Sequence, residues 1–167
     1  MTSAITAISA AATLALAGSM AGLFYAFSVS VMPGLDRSKP DAAIQTMQSI
    51  NRAIQNPVFL VSFLGAPVAA AATGALLLTL GHTRAAILSF LAAAAYLLGA
   101  LAPTAIVNIP MNNALDATTV PADVNQAAGV WSDYSGRWTR WNTLRAVSCT
   151  ISLLFAGYSL FVWGRHE

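Results

Sequence analysis

Four long stretches of this chain contain no charged side chain. They cover residues 1–35, 53–81, 85–115 and 146–164. Each can hold a helix of about 20 residues, the length that crosses the hydrocarbon core of a membrane. Only 8% of the residues are charged, whereas 57% are hydrophobic. The sequence therefore predicts an all-α integral membrane four-helix bundle that forms a single membrane domain over residues 1–167.

Turn and capping residues predict where the four spans begin and end. Met32, Pro33 and Gly34 are expected to stop the first span, and Asn56 followed by Pro57 is the usual start of a helix. A tight connection at residues 81–84 makes the second and third spans an antiparallel hairpin, and residues 108–113 close the third span as a loop. The predicted spans are residues 5–32, 57–80, 85–107 and 142–163.

Loops 1 and 3 are expected to carry structure of their own. In loop 1, Ile44, Met47, Asn51 and Ile54 recur at helical spacing, which predicts a short amphipathic helix from Pro40 that lies on the membrane surface or folds onto the bundle. Loop 3 is expected to contain a short helix from about residue 121 to residue 129. We predict that the two loop regions pack together on one face of the membrane.

The distribution of cations predicts the orientation of the bundle. Six cations lie on the side of loops 1 and 3, and two lie on the side of the termini and the short loop. Because positive charge is retained in the cytoplasm, we expect loops 1 and 3 to be cytoplasmic and the protein to lie in a bacterial inner (plasma) membrane.

Residues 131–145 combine aromatic, polar and cationic side chains. In a helix, Trp131, Trp138 and Arg145 share one face with Ser135 and Asn142 between them. One interpretation is an interfacial belt, in which Trp and Tyr lie at the headgroup level and Arg reaches water. A belt does not require polar and cationic groups aligned with the Trp residues, so a functional face is the second interpretation. Tyr134 and Trp141 form a neighbouring stripe.

Polar side chains elsewhere are candidates for the same site. Tyr25 either packs or directs its hydroxyl into a cavity of the bundle. Asn51 lies on the mostly apolar face of the amphipathic helix and needs a partner. Asn108 and Asn112 would face the Trp and Arg residues if loops 1 and 3 pack together.

Four motifs occur in one order along the chain: GLFYAF at 22–27, MQSINRAIQNP at 47–57, NIPMNNAL at 108–115 and WTRWNTLR at 138–145. Together they resemble the anthrone oxygenase-like integral membrane proteins, and the resemblance covers nearly the whole chain. It implies a four-helix membrane protein. For the fungal polyketide-pathway members it implies oxidation of an anthrone to an anthraquinone by oxygen, without a known cofactor.

This chemistry assigns expected roles to the candidate residues. A planar aromatic or quinone-like substrate would stack on Trp138, Trp141 or Tyr134. Arg145, Asn112 and Asn142 would stabilise a developing oxyanion in a water-poor site. The base is the weak point, because His82 and His166 are expected on the opposite side. Asp133 or Asp116 would need surroundings that make a carboxylate more basic. The catalytic candidates are thus Arg145, Asn142, Asn112 and Asp133; the substrate-binding candidates are Tyr25, Asn51, Asn108, Tyr134, Trp138 and Trp141.

Other classes of function find little support in the sequence. There is no basic run that would indicate nucleic-acid binding. Two distant His and one Cys provide no metal-ligand cluster, so we expect neither a metal nor another cofactor. Cys149 is expected to be a packing residue.

The expected partners are membrane lipid and a hydrophobic small molecule, and a homo-oligomer is compatible with the sequence. The main alternative to a membrane oxidoreductase is a non-enzymatic protein that binds a hydrophobic small molecule or helps to transport it. A purely structural subunit is a third possibility. In either functional reading, Arg145 is expected to be the cation that matters, whereas Arg137 and Arg140 anchor the helix at the interface.

Overall fold

The computed structural model describes residues 2–165 and folds them into five helices. Four of these helices are long and apolar enough to cross a membrane, and no strand occurs among the described residues. The predicted all-α membrane bundle is confirmed. The helices are α1 (Thr2–Asp36), α2 (Pro40–Ala53), α3 (Pro57–Thr79), α4 (Thr83–Ala117) and α5 (Val124–Gly164).

Two predicted helix boundaries are formed by the local chemistry that the sequence indicated. The Asn56 side-chain oxygen accepts a hydrogen bond from the backbone N–H of Phe59 at 3.0 Å, and Pro57 occupies the first turn of α3. Gly81 has a φ of +82°, a conformation that glycine adopts without steric cost. This glycine lies within the tight connection that joins α3 to the antiparallel α4.

The prediction that the third span closes in a loop at residues 108–113 is wrong, because α4 continues to Ala117. The helix contains two wider π-helical turns, Leu97–Leu101 and Thr104–Asn108. α1 likewise passes through a π-helical turn at Phe27–Val31 and continues beyond Pro33. Such turns loosen the hydrogen-bond ladder, so a proline beside them does not end the helix.

The predicted fourth span, residues 142–163, is the second part of a longer helix. α5 begins at Val124, where the Asp123 carboxylate accepts a hydrogen bond from the backbone N–H of Gln126 at 2.9 Å. It then runs for 41 residues through Gly129, where a short loop helix was expected to end. Glycine lowers helix propensity by only about 1 kcal/mol relative to alanine, and the packed aromatic side chains that follow stabilise the helix. The Trp-rich stretch is therefore part of one continuous helix.

The prediction that loops 1 and 3 pack together agrees with the structure. The Gln48 amide of α2 donates to the backbone carbonyls of Leu115 and Thr118 at 2.8 and 3.0 Å. The amphipathic face predicted for α2 is buried through Ile44, Met47 and Asn51. α2 thus covers one end of the bundle.

The bundle has two halves with different interiors. In the packed half, near the short α3–α4 connection, the core consists mainly of small residues such as Ala70, Ala92, Ala93 and Ala156. In the cavity half, near α2, the interior contains Phe, Trp, Asn and Arg side chains. The candidate functional residues lie in the cavity half.

Candidate functional site

A cavity of about 560 Å³ lies between α2 and the adjoining ends of the four long helices. This volume falls within the range of small-molecule sites in proteins. One part of the wall is aromatic and another is polar. The aromatic side chains are Phe24, Phe27, Phe59, Phe63 and Trp138, and the polar ones include Asn51, Thr104, Asn108, Asn112, Asn142 and Arg145.

The Arg145 side chain is 5% exposed and lines this cavity. Its Nη1 donates to the Thr104 hydroxyl at 3.2 Å, and its Nη2 donates to the Asn142 side-chain oxygen at 2.9 Å. The guanidinium carbon lies 4.4 Å from the ring centre of Phe24 and 5.2 Å from that of Trp138. Cation–π contacts of this kind contribute about 0.5–2 kcal/mol each.

No carboxylate neutralises Arg145 in the described part of the chain, where the ion pair that forms is Arg52 with Asp116 at 4.0 Å. The Nε of Arg145 also has no hydrogen-bond partner. A buried charge without a counter-charge is unfavourable, so this arrangement favours a ligand that places a polar oxygen beside the guanidinium, above all one on which negative charge develops. The protein partners of Arg145 are Thr104 and Asn142.

Asn142 holds Arg145 and has no free amide group. Its Nδ2 donates to the Phe24 carbonyl at 2.6 Å and to the Ser28 hydroxyl at 2.8 Å, while its oxygen accepts from Arg145. These bonds connect α5 to α1. Asn142 therefore positions the guanidinium, and the sequence-based expectation that it contacts an oxyanion directly is corrected.

Asn112 is oriented by two donors from α5. Its side-chain oxygen accepts from the Tyr134 hydroxyl at 2.9 Å and from the Trp138 indole N–H at 2.8 Å. Because both donors occupy the oxygen, the amide nitrogen is the end of the side chain that remains for a ligand. Tyr134 thus supports the site through Asn112 without lining the cavity.

Asn108 is 1% exposed, and neither its amide nitrogen nor its oxygen makes a hydrogen bond. Leaving a buried polar group unpaired costs about 1–3 kcal/mol. Because Asn108 lines the cavity, a ligand can supply both missing bonds. Asn108 and the Nε of Arg145 thus give the cavity unused donors and an unused acceptor.

Aromatic rings from α1 and α3 form the apolar wall. Phe59 and Phe63 stack with ring centres 5.3 Å apart, and Phe24 meets Phe63 edge to face at 6.1 Å. Rings fixed by one another in this way offer flat surfaces for another aromatic system. The cavity therefore suits a planar ligand that carries polar groups on one edge.

The structure brings together six predicted site residues, all of which line the cavity: Arg145, Asn142, Asn112, Asn51, Asn108 and Trp138. The other four candidates do not line it, and Tyr134 among them contacts the site through Asn112. Tyr25 is 62% exposed on the outer surface of α1, Asp133 is exposed, and Trp141 is half-buried away from the cavity. One helical residue turns the side chain by about 100°, so Tyr25 and Asp133 point away from their inward neighbours. Their predicted site roles are corrected.

Residues that the sequence interpretation missed include Phe24, Phe59, Phe63 and Thr104. The four-residue spacing of Phe59 and Phe63 was a usable signal, because it places both rings on one helical face. Phe24 belongs to the GLFYAF motif, but its polar neighbour Tyr25 was the residue assigned to the site. Nothing in the local sequence distinguishes Thr104.

The remaining chemically reactive side chains lie elsewhere. Cys149 is fully buried, as expected of a packing residue, and Arg145 lies one helical turn before it. His82 lies at the short α3–α4 connection, beside the ring of Trp163. Asp116 pairs with Arg52, and His166 lies outside the described residues.

The fold and the site together define a membrane-embedded helical protein with an internal small-molecule cavity. The model of the anthrone oxygenase family matches residues 58–155, which is more than half of the chain. The protein belongs to the anthrone oxygenase family, and the resemblance seen in the sequence is confirmed. The matched segment includes Asn108, Asn112, Trp138, Asn142 and Arg145. Comparisons with curated proteins and with solved structures gave no match.

Proposed function

We propose that this protein oxidises a planar, hydroxylated aromatic ketone of the anthrone type with molecular oxygen and without a bound cofactor. The observation that carries the proposal is the buried Arg145 guanidinium, which faces an aromatic-walled cavity and is not neutralised by a carboxylate among residues 2–165. Membership of the anthrone oxygenase family supports the same reaction class.

The proposed reaction begins with loss of a proton from the methylene carbon of the anthrone, which leaves an enolate with negative charge on oxygen. The enolate carbon then transfers electrons to oxygen and forms a carbon–oxygen bond, giving a hydroperoxide. Loss of water from this hydroperoxide produces the second ketone. One anthrone and one oxygen molecule give one anthraquinone and one water, and the carbon loses the four electrons that oxygen gains.

The cavity residues favour the first step of this sequence. Arg145, Asn108 and the Asn112 amide nitrogen supply donors for the enolate oxygen in surroundings that hold little water, where such bonds are strong. Stabilising the enolate makes the substrate a stronger acid. The aromatic wall holds the flat ring system so that its oxygen faces these donors.

The proton acceptor in this proposal is water or hydroxide. The described residues that line the cavity include no carboxylate and no imidazole, and Asp133, the sequence-based candidate, is exposed. The protein therefore promotes proton loss mainly through Arg145. A strong protein base is not required when the conjugate base is stabilised this well.

The test uses the purified protein in detergent with 1,8-dihydroxyanthrone, following oxygen uptake and anthraquinone absorbance together. We expect one oxygen to be consumed for each anthraquinone formed. 10,10-Dimethylanthrone, which lacks the acidic hydrogens, is the matched control and should consume none. Binding of both compounds without oxygen uptake would favour the non-enzymatic alternative, and a visible chromophore in the purified protein would contradict the cofactor-free mechanism.

The proposal includes an orientation in a bacterial inner membrane with the α2 end of the bundle in the cytoplasm. Six cations lie at that end and two lie at the other, which supports this orientation. Labelling of single cysteines in the α1–α2 and α4–α5 connections from each side of the membrane tests it. Labelling of both connections from the periplasmic side would reverse the proposed orientation.

A further inference from the structure

The cavity is open on one side, between α3 and α4. Six of its lining residues are exposed, and they form two rows that face each other across this gap. Leu60 is 45%, Leu64 is 50% and Ile109 is 48% exposed. The first row is Gln55, Leu60 and Leu64, and the second is Asn113, Ile109 and Ala105.

The polarity of these rows changes along the helix axis. α3 and α4 are antiparallel, so Gln55 and Asn113 lie at the α2 end of the gap, whereas Leu64 and Ala105 lie deeper. Leu64 is seven residues into α3, about 10 Å from its first residue. In a bilayer that surrounds the four apolar helices, the polar part of the rim would lie toward the headgroups and the apolar part would face the acyl chains of one leaflet.

The end of the cavity that faces water is covered by α2. Met47, Ile50 and Asn51 of this helix line the cavity. α2 is fixed to the end of α4 by the two hydrogen bonds of Gln48 and by the Arg52–Asp116 ion pair. The cavity is thus covered at the end that faces water and open at the side that faces lipid.

We propose that the cavity is loaded sideways from one membrane leaflet, through a portal between α3 and α4 whose rim is formed by these six residues. The ligand is an uncharged planar aromatic molecule dissolved in the lipid, which moves in with its polar edge toward Arg145 and Asn108. An apolar rim lets such a molecule pass without exchanging lipid contacts for water. The inference deepens the proposed function and rests on it only for the identity of the ligand.

The test uses the full chain in phosphatidylcholine liposomes, illuminated with a small aryl trifluoromethyl diazirine that is dissolved in the bilayer. The carbene inserts into any side chain that it can reach, and mass spectrometry maps the labelled residues. We expect Phe63 and Asn108, which are 5% and 1% exposed, to be labelled. Leu77 in the packed half is 1% exposed and should be labelled at least about tenfold less, because a close-packed interior excludes the probe.

A bulky side chain on the rim should close the portal. Ala105→Trp is expected to lower the labelling of Phe63 and Asn108 by about tenfold, since the indole fills the gap. Ile106→Trp is the matched control, because Ile106 is 73% exposed and does not line the cavity. Continued protection of Leu77 from labelling reports that each variant is folded, and Leu64→Trp replaces Ala105→Trp if the latter fails this check.

Three outcomes would overturn the portal: no labelling of Phe63 and Asn108 in the unmodified protein, equal loss of labelling in the two Trp variants, or stronger labelling of both residues by a charged, water-soluble diazirine. The labelling requires no turnover. Normal labelling without oxygen uptake would therefore refute the proposed reaction and leave the portal in place.

Discussion

The two halves of the bundle differ in how several of their buried polar groups are bonded. In the packed half, the Ser89 hydroxyl lies 2.8 Å from that of Ser159, which donates to the Ala85 carbonyl at 2.7 Å. Ser152 likewise donates to the Ala92 carbonyl at 2.8 Å. In the cavity half, Asn108 and part of Arg145 are buried without partners. These serines hold helices together in the packed half, although the Trp163 indole N–H there is unpaired, whereas Asn108 and the Nε of Arg145 remain available for a ligand in the cavity half.

The packed half therefore contributes mainly to stability and the cavity half mainly to ligand binding, and the two halves follow one another along the axis of the bundle. Small side chains in the packed half allow close helix packing, which is the main source of helix association in lipid. That packing can hold the cavity half in an arrangement that is unfavourable in isolation. The buried Arg145 guanidinium, which has no counter-charge, is the group whose replacement tests this directly.

Arg145→Leu should have the largest effect. Removal of one oxyanion donor typically lowers kcat by about 100- to 1,000-fold, and we expect a loss of this size in the oxidation of 1,8-dihydroxyanthrone. The protein should stay folded, because an apolar side chain removes the desolvation penalty of the guanidinium. Arg145→Lys should keep part of the activity, since the charge remains while the planar fork is lost.

The matched control for this prediction is Arg140→Leu, at an exposed position of the same helix. Its oxidation rate should be close to that of the unmodified protein. Full activity in Arg145→Leu together with loss in Arg140→Leu would place the functional face on the other side of α5.

Gly99→Ala tests the junction between the two halves. A Cβ at this position would overlap the Cβ and Oγ of Ser148, so α4 and α5 must move apart. Overpacking of this kind costs about 1–3 kcal/mol, which should appear as a lower midpoint of thermal unfolding in detergent. Ser148→Gly in the same chain should restore most of the loss. If it restores nothing, the close approach of α4 and α5 at this point is incorrect.

Asn108→Leu should separate stability from ligand binding. Removing two unpartnered buried polar atoms should raise the free energy of unfolding by about 1 kcal/mol. Affinity for 1,8-dihydroxyanthraquinone should fall about tenfold, equivalent to 1.4 kcal/mol. Ser152→Ala is the control in the packed half and should lower stability by about 0.6 kcal/mol. If both variants shift stability in the same direction, the contrast between the halves fails.

Tyr25→Phe and Asp133→Asn should have the smallest effect. Both side chains are exposed outside the cavity, and surface substitutions typically change stability by less than about 0.5 kcal/mol. Oxidation rates of both variants should match that of the unmodified protein. A large loss in Asp133→Asn would restore this carboxylate as the base.

The sequence predicted those parts of the fold that depend on local chemistry. Charge-free stretches indicated the four spans, the Asn56–Pro57 pair indicated the start of α3, and helical spacing placed Trp138 and Arg145 on one face. Each of these signals lies within a few turns of one helix. They required no knowledge of neighbouring helices.

The inward direction of each membrane helix was less accessible. A helix in water is polar on its outer face, but a helix in lipid is apolar there too, so periodicity does not separate the two faces. For this reason the sequence favoured Tyr25 over Phe24 as the residue that faces the site.

The continuation of α4 through Pro103 and Pro110 could not be predicted either, because no sequence pattern indicated the π-helical turns that accommodate these prolines.

The number of residues in α4, including those of its π-helical turns, determines the direction in which its later side chains point. Each residue added to or removed from a helix changes the angular phase of everything after it by about 100°. Deleting one residue from the α-helical segment Thr83–Tyr96 would rotate Asn108 and Asn112 away from Arg145 without altering either side chain. Deleting one residue within Leu97–Leu101 would instead convert the π-helical turn into an α-helical turn and keep the direction of both side chains. In an alignment of related chains, the position of a one-residue gap in α4 would then separate proteins that keep the geometry of the family's motifs from those that have lost it.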